Sequence, residues 1–209
     1  QGYPDLPSLG TATDPATTGD VAAVLNGTPL KLFDILPLLR HMNTVEPQSL
    51  SYTTPPFTAP VRVVGQGSLD LFVATLTPSD DLNAVIADVW PDGTAYPIAA
   101  GRLRTSFPNV VAARSVTDAN GQMVQPYGDY SANDPALPGA VREYHLEFWP
   151  IGNVFPAGHR LRLYLVGTSD FMLPQVGVNL VSIGGATPSR LLLPVLPGSD
   201  ALAAMNAAD

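Results

Sequence analysis

Three segments of this chain alternate apolar and polar residues with a period of two, and no other feature restricts the fold as tightly. Leu69, Leu71, Val73 and Thr75 alternate with Asp70, Phe72 and Ala74. Tyr144, Leu146 and Phe148 alternate with Glu143, His145 and Glu147, and Leu161, Leu163 and Leu165 with Arg160, Arg162 and Tyr164. Successive side chains of an extended strand point to opposite faces, so each segment reads as a strand with one face in a core. Further strand candidates run from Val61 to Val64, Ala84 to Trp90, Ala95 to Arg104, Val176 to Ile183 and Arg190 to Val195. Together they make about eight strands, the number a jelly roll uses. No strand–helix–strand alternation appears, which argues against a parallel sheet. The 22 prolines and 18 glycines fit many short strands joined by turns, since both residues punctuate structure and form helices poorly. The expected fold is an all-β sandwich of jelly-roll type.

Outside the strands the pattern changes. Residues 1–20 are rich in Thr, Pro, Asp and Gly and read as an extended arm or interdomain linker. From Gly27 to Met42 comes a dense apolar stretch, Leu30, Leu32, Phe33, Ile35, Leu36, Leu38 and Leu39, interrupted by Pro37. A short helix bent or ended near Pro37, packed on the sandwich or on a partner, is the expectation there. Between Phe107 and Gly139 lies a stretch rich in Asn, Asp, Gly, Pro and Ser, far longer than an ordinary connection, and such loops bind or dock. From Ser199 to Asp209 the chain forms a short Ala-rich helix or frays. The expected division is an arm and short helix over 1–47, a sandwich over 48–198 and a tail over 199–209.

With 45% apolar and 13% charged residues, the chain can build a core and is not a highly charged disordered segment. The formal charge is −8, with one lysine, Lys31, and nine scattered arginines, so the basic face that nucleic acid requires is missing. One lysine among abundant Ala, Val and Pro fits a high-GC genome such as an actinobacterium's. There is no cysteine, which excludes disulfides and thiolate metal sites. No apolar run approaches the roughly 18 residues of a membrane span, and the start at Gln1 implies processing, excision or a further upstream part. Export or the cell envelope is favoured over the cytoplasm.

Candidate chemistry is sparse. A Gly-x-Ser-x-Gly elbow, which would present a nucleophilic serine between strand and helix, does not occur; Gly67-Ser68 and Gly167-Thr168-Ser169 each lack the second glycine. The histidines His41, His145 and His159 are not paired at metal-ligand spacing, and a backbone-bonded turn role suits His159 better than ligation. Asp80-Asp81 and the run from Asp88 to Gly93 offer carboxylates for a calcium ion, but a polar turn and a hairpin turn explain them more simply. Neither a metal nor a cofactor is expected. Trp90, Tyr96, Phe107, Tyr127, Tyr130 and Trp149 could stack on a sugar, or pack in a core or under a neighbouring domain.

Several motifs occur in an order that resembles one family. Leu50 to Pro56 reads Leu-Ser-Tyr-Thr-Thr-Pro-Pro; Val63 to Gly65 is Val-x-Gly; Leu69 to Thr75 and Asp81 to Gly93 follow. Downstream come Gly101-Arg102-Leu103-Arg104, Phe155 to Leu163 in the form F-x-x-G-H-R-L-R-L, and the closing Leu191 to Pro194. Over about residues 48–196 the chain resembles the C-terminal non-catalytic domain of X-Pro dipeptidyl-peptidases and cocaine-esterase-like serine hydrolases, whereas residues 1–47 match none of its motifs. The resemblance implies a galactose-binding-like jelly roll packed against an α/β-hydrolase domain, in cis or as a separate chain. It places the Ser-Asp-His triad in that other domain, so no catalytic residue is carried across.

The leading expectation is therefore an accessory sandwich that buttresses a serine esterase or X-Pro dipeptidyl-peptidase, or walls its substrate pocket. A carbohydrate-binding or cell-surface interaction module without a hydrolase partner is the alternative. Arg102, Arg104, Arg160 and Arg162 alternate with leucines on two strands, so their guanidinium groups share a sheet face and are candidates for pairing with a partner's carboxylates, although a solvated face is the simpler reading. With Tyr127, Tyr130 and His159 they complete the candidate interface or binding residues.

Overall fold

The protein is seen in a computed structural model that describes residues 21–25, 42–44, 46–166 and 177–199. Residues 27–41 of the expected helix, and the tail beyond Ser199, lie outside the described residues.

Thirteen strands are described: β1 (Val21–Leu25), β2 (Leu50–Thr53), β3 (Val61–Gly65), β4 (Ser68–Thr75), β5 (Asp81–Val89), β6 (Ala95–Arg104), β7 (Val116–Thr117), β8 (Met123–Gln125), β9 (Val141–Glu147), β10 (Ile151–Phe155), β11 (Arg160–Val166), β12 (Val178–Ser182) and β13 (Arg190–Leu192). Helical structure among the described residues is limited to short 3-10 turns such as Met42–Thr44 and Ala112–Arg114. None is long and apolar enough to cross a membrane.

A four-stranded sheet runs in the order β2-β11-β5-β6, all antiparallel. A five-stranded sheet is built around β4, with β9 along one edge. The other edge of β4 is shared: β12 pairs with its second half and β13 with its first. Ser189 splices these two pieces, its hydroxyl donating to Ser182 O at 2.6 Å and accepting the Phe72 N–H at 3.1 Å. β1 extends this sheet by pairing with β12.

The two sheets face each other across one core. Leu82, Ile86, Leu103, Leu161 and Leu163 on the first sheet meet Leu69, Leu71, Val73, Tyr144 and Leu146 on the second, all buried. The alternation read from sequence places these residues inward because a period of two leaves one face of each strand apolar. The β3–β10 ribbon closes part of the sandwich, with Phe57 edge-on to Phe155 at 5.6 Å. A second buried cluster, including Met42, Val85, Ala87, Val89 and Tyr164, lies on the opposite face of the four-stranded sheet. The chain is thus an all-β sandwich of antiparallel sheets, as the alternation predicted.

The long connection after β6 is ordered by its backbone bonds. Asp134 N–H bonds Ser106 O, Ala136 N–H bonds Pro78 O, and Gly139 N–H bonds Thr75 O, each within 2.8–2.9 Å. Within it, the short β7–β8 ribbon is joined by a turn in which the Asp118 carboxylate accepts the Asn120 and Gln122 N–H groups.

Candidate functional site

The edges of the two sheets meet at one point, and a cleft opens there. Gly101 of β6 bridges Phe148, just past β9, and Trp149 N–H bonds Ala100 O at 3.0 Å. A Cβ on Gly101 would stand 2.5 Å from Glu147 O, closer than side-chain carbon approaches backbone oxygen, so this crossing requires glycine. The first glycine of the Gly-x-Leu-Arg motif is therefore explained by a close approach of two strands.

The cleft holds about 260 Å³ and lies under Pro126–Tyr130 of the long connection. Arg102, Tyr130, Trp149, His145, Glu147 and Gln66 furnish its polar and aromatic walls. Tyr130 and Trp149 are 64% and 51% exposed. Tyr130 leans on Phe107 at 5.8 Å, and Gln66 donates to the Glu147 carboxylate. Partial burial pushes the Tyr130 phenol above its ordinary value, keeping it protonated as a donor.

His145 stands at the cleft wall and is tied to Asp70, its cross-strand partner, through Nδ1–Oδ1 at 2.6 Å. Glu143 lies 4.0 Å from the other ring nitrogen. The hydrogen bond to Asp70 raises the imidazole above its ordinary value, against the opposing effect of burial. Donor atoms of Asp70, Glu143 and His145 lie within 4.8 Å of one another, the spacing of a metal-ligand set. Asp70 already occupies Nδ1, which makes the group first a charge-assisted hydrogen bond.

The candidate residues separate into groups. Arg102 and Tyr130 line the cleft together. Arg104, next along the same face of β6, instead closes on Asp81, with Nε 3.0 Å from a carboxylate that is fully buried. On β11, Arg160 is exposed, while Arg162 bonds Glu46 at 2.7 Å and Thr53 at 2.6 Å. Tyr127 is stacked under Arg114, whose guanidinium carbon lies 3.6 Å from the ring centre. His159 bonds Asp88 through Nδ1 at 2.8 Å and packs on Trp90 at 5.7 Å, at the far end of β6 from the cleft. Burial pushes the Asp88 carboxyl up, and His159 pulls it back.

Two family-like motifs are thereby joined. Asp88 belongs to the segment from Asp81 to Gly93, and His159 to F-x-x-G-H-R-L-R-L; Asp81 of the first motif holds Arg104 of Gly-x-Leu-Arg. A third junction sets Gly65 of Val-x-Gly against Pro194 of the closing motif. The aromatics fall into two sets, Trp90 with Tyr96 at 5.0 Å at one end of β6 and Tyr130 with Phe107 near the other, so they do not form one stacking platform. Gly101 stands out in the sequence only as the first residue of a motif, and Asp70 and Gln66 not as site residues, since their roles appear only once the strands are in register.

The family model of the X-Pro dipeptidyl-peptidase C-terminal non-catalytic domain matches residues 5–176. It thus begins upstream of the motifs that carry the resemblance. Cocaine esterase of a Rhodococcus species is 26% identical over 165 residues, covering 70% of this chain and 25% of that protein. The chain spans a quarter or less of the length of the curated relatives it matches. Among solved structures, an α-amino acid ester hydrolase overlays with a TM-score of 0.66 at 16% identity, over 87% of this chain and 33% of that one. A CocE/NonD family hydrolase from Staphylococcus aureus gives 0.64 at 19% identity, over 71% and 31%. These overlays share the sandwich fold. With a family model covering most of its length, the chain belongs to the X-Pro dipeptidyl-peptidase C-terminal non-catalytic domain family.

Proposed function

We propose that this chain is the accessory β-sandwich of an α/β-hydrolase-type serine esterase or X-Pro dipeptidyl-peptidase, and that it buttresses the catalytic domain or its substrate pocket. The observation that carries this reading is coverage: a non-catalytic domain family accounts for residues 5–176, while the chain spans only 25% of cocaine esterase. The rest of such a protein must supply the nucleophile. In this reading residues 48–198, with β1 added along the five-stranded sheet, form the supporting sandwich, and Arg102 and Tyr130, beside Trp149, are contact residues at the cleft.

The arrangement suits support better than turnover. Asp81, Asp88 and Asp70 are each engaged with a basic partner inside the sandwich, which stiffens it. A rigid scaffold with exposed rings at one corner can hold a neighbouring surface in place at little entropic cost. The test is the intact mass of the native polypeptide from its source, with affinity capture under native conditions. A longer polypeptide containing a serine-hydrolase domain, or stable co-purification of one, is expected. A lone 22.0 kDa species without a hydrolase partner would overturn the proposal.

A further inference from the structure

The outer face of the five-stranded sheet is divided. Along β4 the outward residues are Ser68, Asp70, Phe72 and Ala74, with Leu76 just beyond the strand, so the face turns from polar to apolar in one strand. Register carries the division across the sheet. At the polar half, Asp70 stands between His145 of β9 and Arg190 of β13. At the apolar half, Ala74 stands between Val141 of β9 and Leu180 of β12. Leu76 is 49% exposed, Val141 55% and Leu137, in the adjoining loop, 72%. A solvated outer face has no physical need for such a row, and an exposed apolar patch beside a polar margin marks an interaction surface.

The patch is held rigidly. Gly139 N–H bonds Thr75 O at 2.8 Å, Ala136 N–H bonds Pro78 O at 2.9 Å, and Leu76 N–H bonds Val178 O at 2.9 Å. Beneath it Asp80, fully buried, accepts the Asp81 N–H at 2.8 Å and the Asn179 amide at 3.0 Å. Arg142 paired with Asp134 at 3.3 Å supplies a charged rim, as interfaces with an apolar centre commonly have.

We infer that this apolar half, centred on Leu76, Leu137 and Val141, is the surface on which the catalytic domain seats. The inference rests on the accessory-domain reading and names its contact face. The occupant is argued from what lies beyond the chain: relatives of this domain carry at least three quarters of their length outside the matched part. The outer face of the β3–β10 ribbon, with Val64 and Val154, is a weaker candidate because Arg62 interrupts it.

Hydroxyl-radical footprinting of this chain alone, and of the native polypeptide or complex that contains it, decides the matter. Loss of labelling at Leu76, Leu137 and Val141 in the larger species is the expected result. Protection confined to Val64 and Val154, or to Tyr130 and Trp149, overturns this surface and leaves the accessory reading standing. Absence of protection anywhere, or a native species no larger than this chain, overturns both. The variant Leu137→Asp, at an exposed position, is expected to leave the denaturation midpoint of this chain unchanged and, in the larger species, to restore labelling at Leu76 and Val141; unchanged protection there would contradict the inference.

Discussion

Asp81 and Arg104 are direct cross-strand partners on β5 and β6, joined at 3.0 Å, and the carboxylate is fully buried while the guanidinium reaches solvent. Removing one partner of such a pair costs more than the pair contributes, because a charge is left without compensation. Arg104→Ala is therefore expected to destabilise the domain by about 3 kcal/mol, toward the low end for buried pairs because water reaches this site. Asp81→Asn combined with Arg104→Met is expected to recover part of that loss. Urea denaturation of the two variants beside the parent measures both.

Gly101 gives a steric prediction. Gly101→Ala forces a methyl against Glu147 O at the crossing of the two sheets, and a loss of about 1–3 kcal/mol is expected. Gly152→Ala, where nothing lies within 4 Å of the added carbon, is expected to be near neutral. Thermal melts of both variants compare a crowded glycine with an open one.

His145 gives a pH dependence with a definite sign. Its folded-state value is raised above 6.5, first by the hydrogen bond to Asp70. A raised value means the folded state holds the proton more tightly, so the contribution is complete below the unfolded value and is lost as pH rises through the folded one. Denaturation midpoints are expected to fall across that window in the parent chain, with a shallower fall in His145→Gln. An unchanged slope in the variant would exclude this pair as the source.

The arginine face separates under mutation. Arg160→Ala, at an exposed position, is expected to stay within about 0.5 kcal/mol of the parent. Arg162→Ala removes charge-assisted bonds to Glu46 and Thr53 and is expected to cost about 2 kcal/mol. Hydrogen exchange near Glu46 and Thr53 is expected to accelerate only in the second variant.

The parts legible in sequence were those in which one strand face is buried and the other wet. β4, β9 and β11 announced themselves because Leu69, Leu146 and Leu163 recur every second residue against polar neighbours. β2 carries no such period because Leu50, Ser51, Tyr52 and Thr53 are all buried, and β10, with Gly152 and Asn153 at its centre, is too short and mixed to stand out. The ribbon of β7 and β8 is hidden inside a segment whose composition reads as loop. The arginines were placed on strands correctly in register with leucines, but their partners lie on other strands: Asp81 is 23 residues from Arg104, and Glu46 is 116 from Arg162. Asp70 and His145, 75 residues apart, meet only because β4 and β9 align in one register. The ordered motifs were informative for a related reason, since the polar residues within them turn out to bind one another.

The central claim, that chemistry resides outside this chain, is tested most directly by assaying the purified 22.0 kDa chain against p-nitrophenyl butyrate and an X-Pro chromogenic substrate. The account predicts no hydrolysis above the buffer rate with either substrate. Turnover that co-elutes with the chain and disappears on its removal would contradict it.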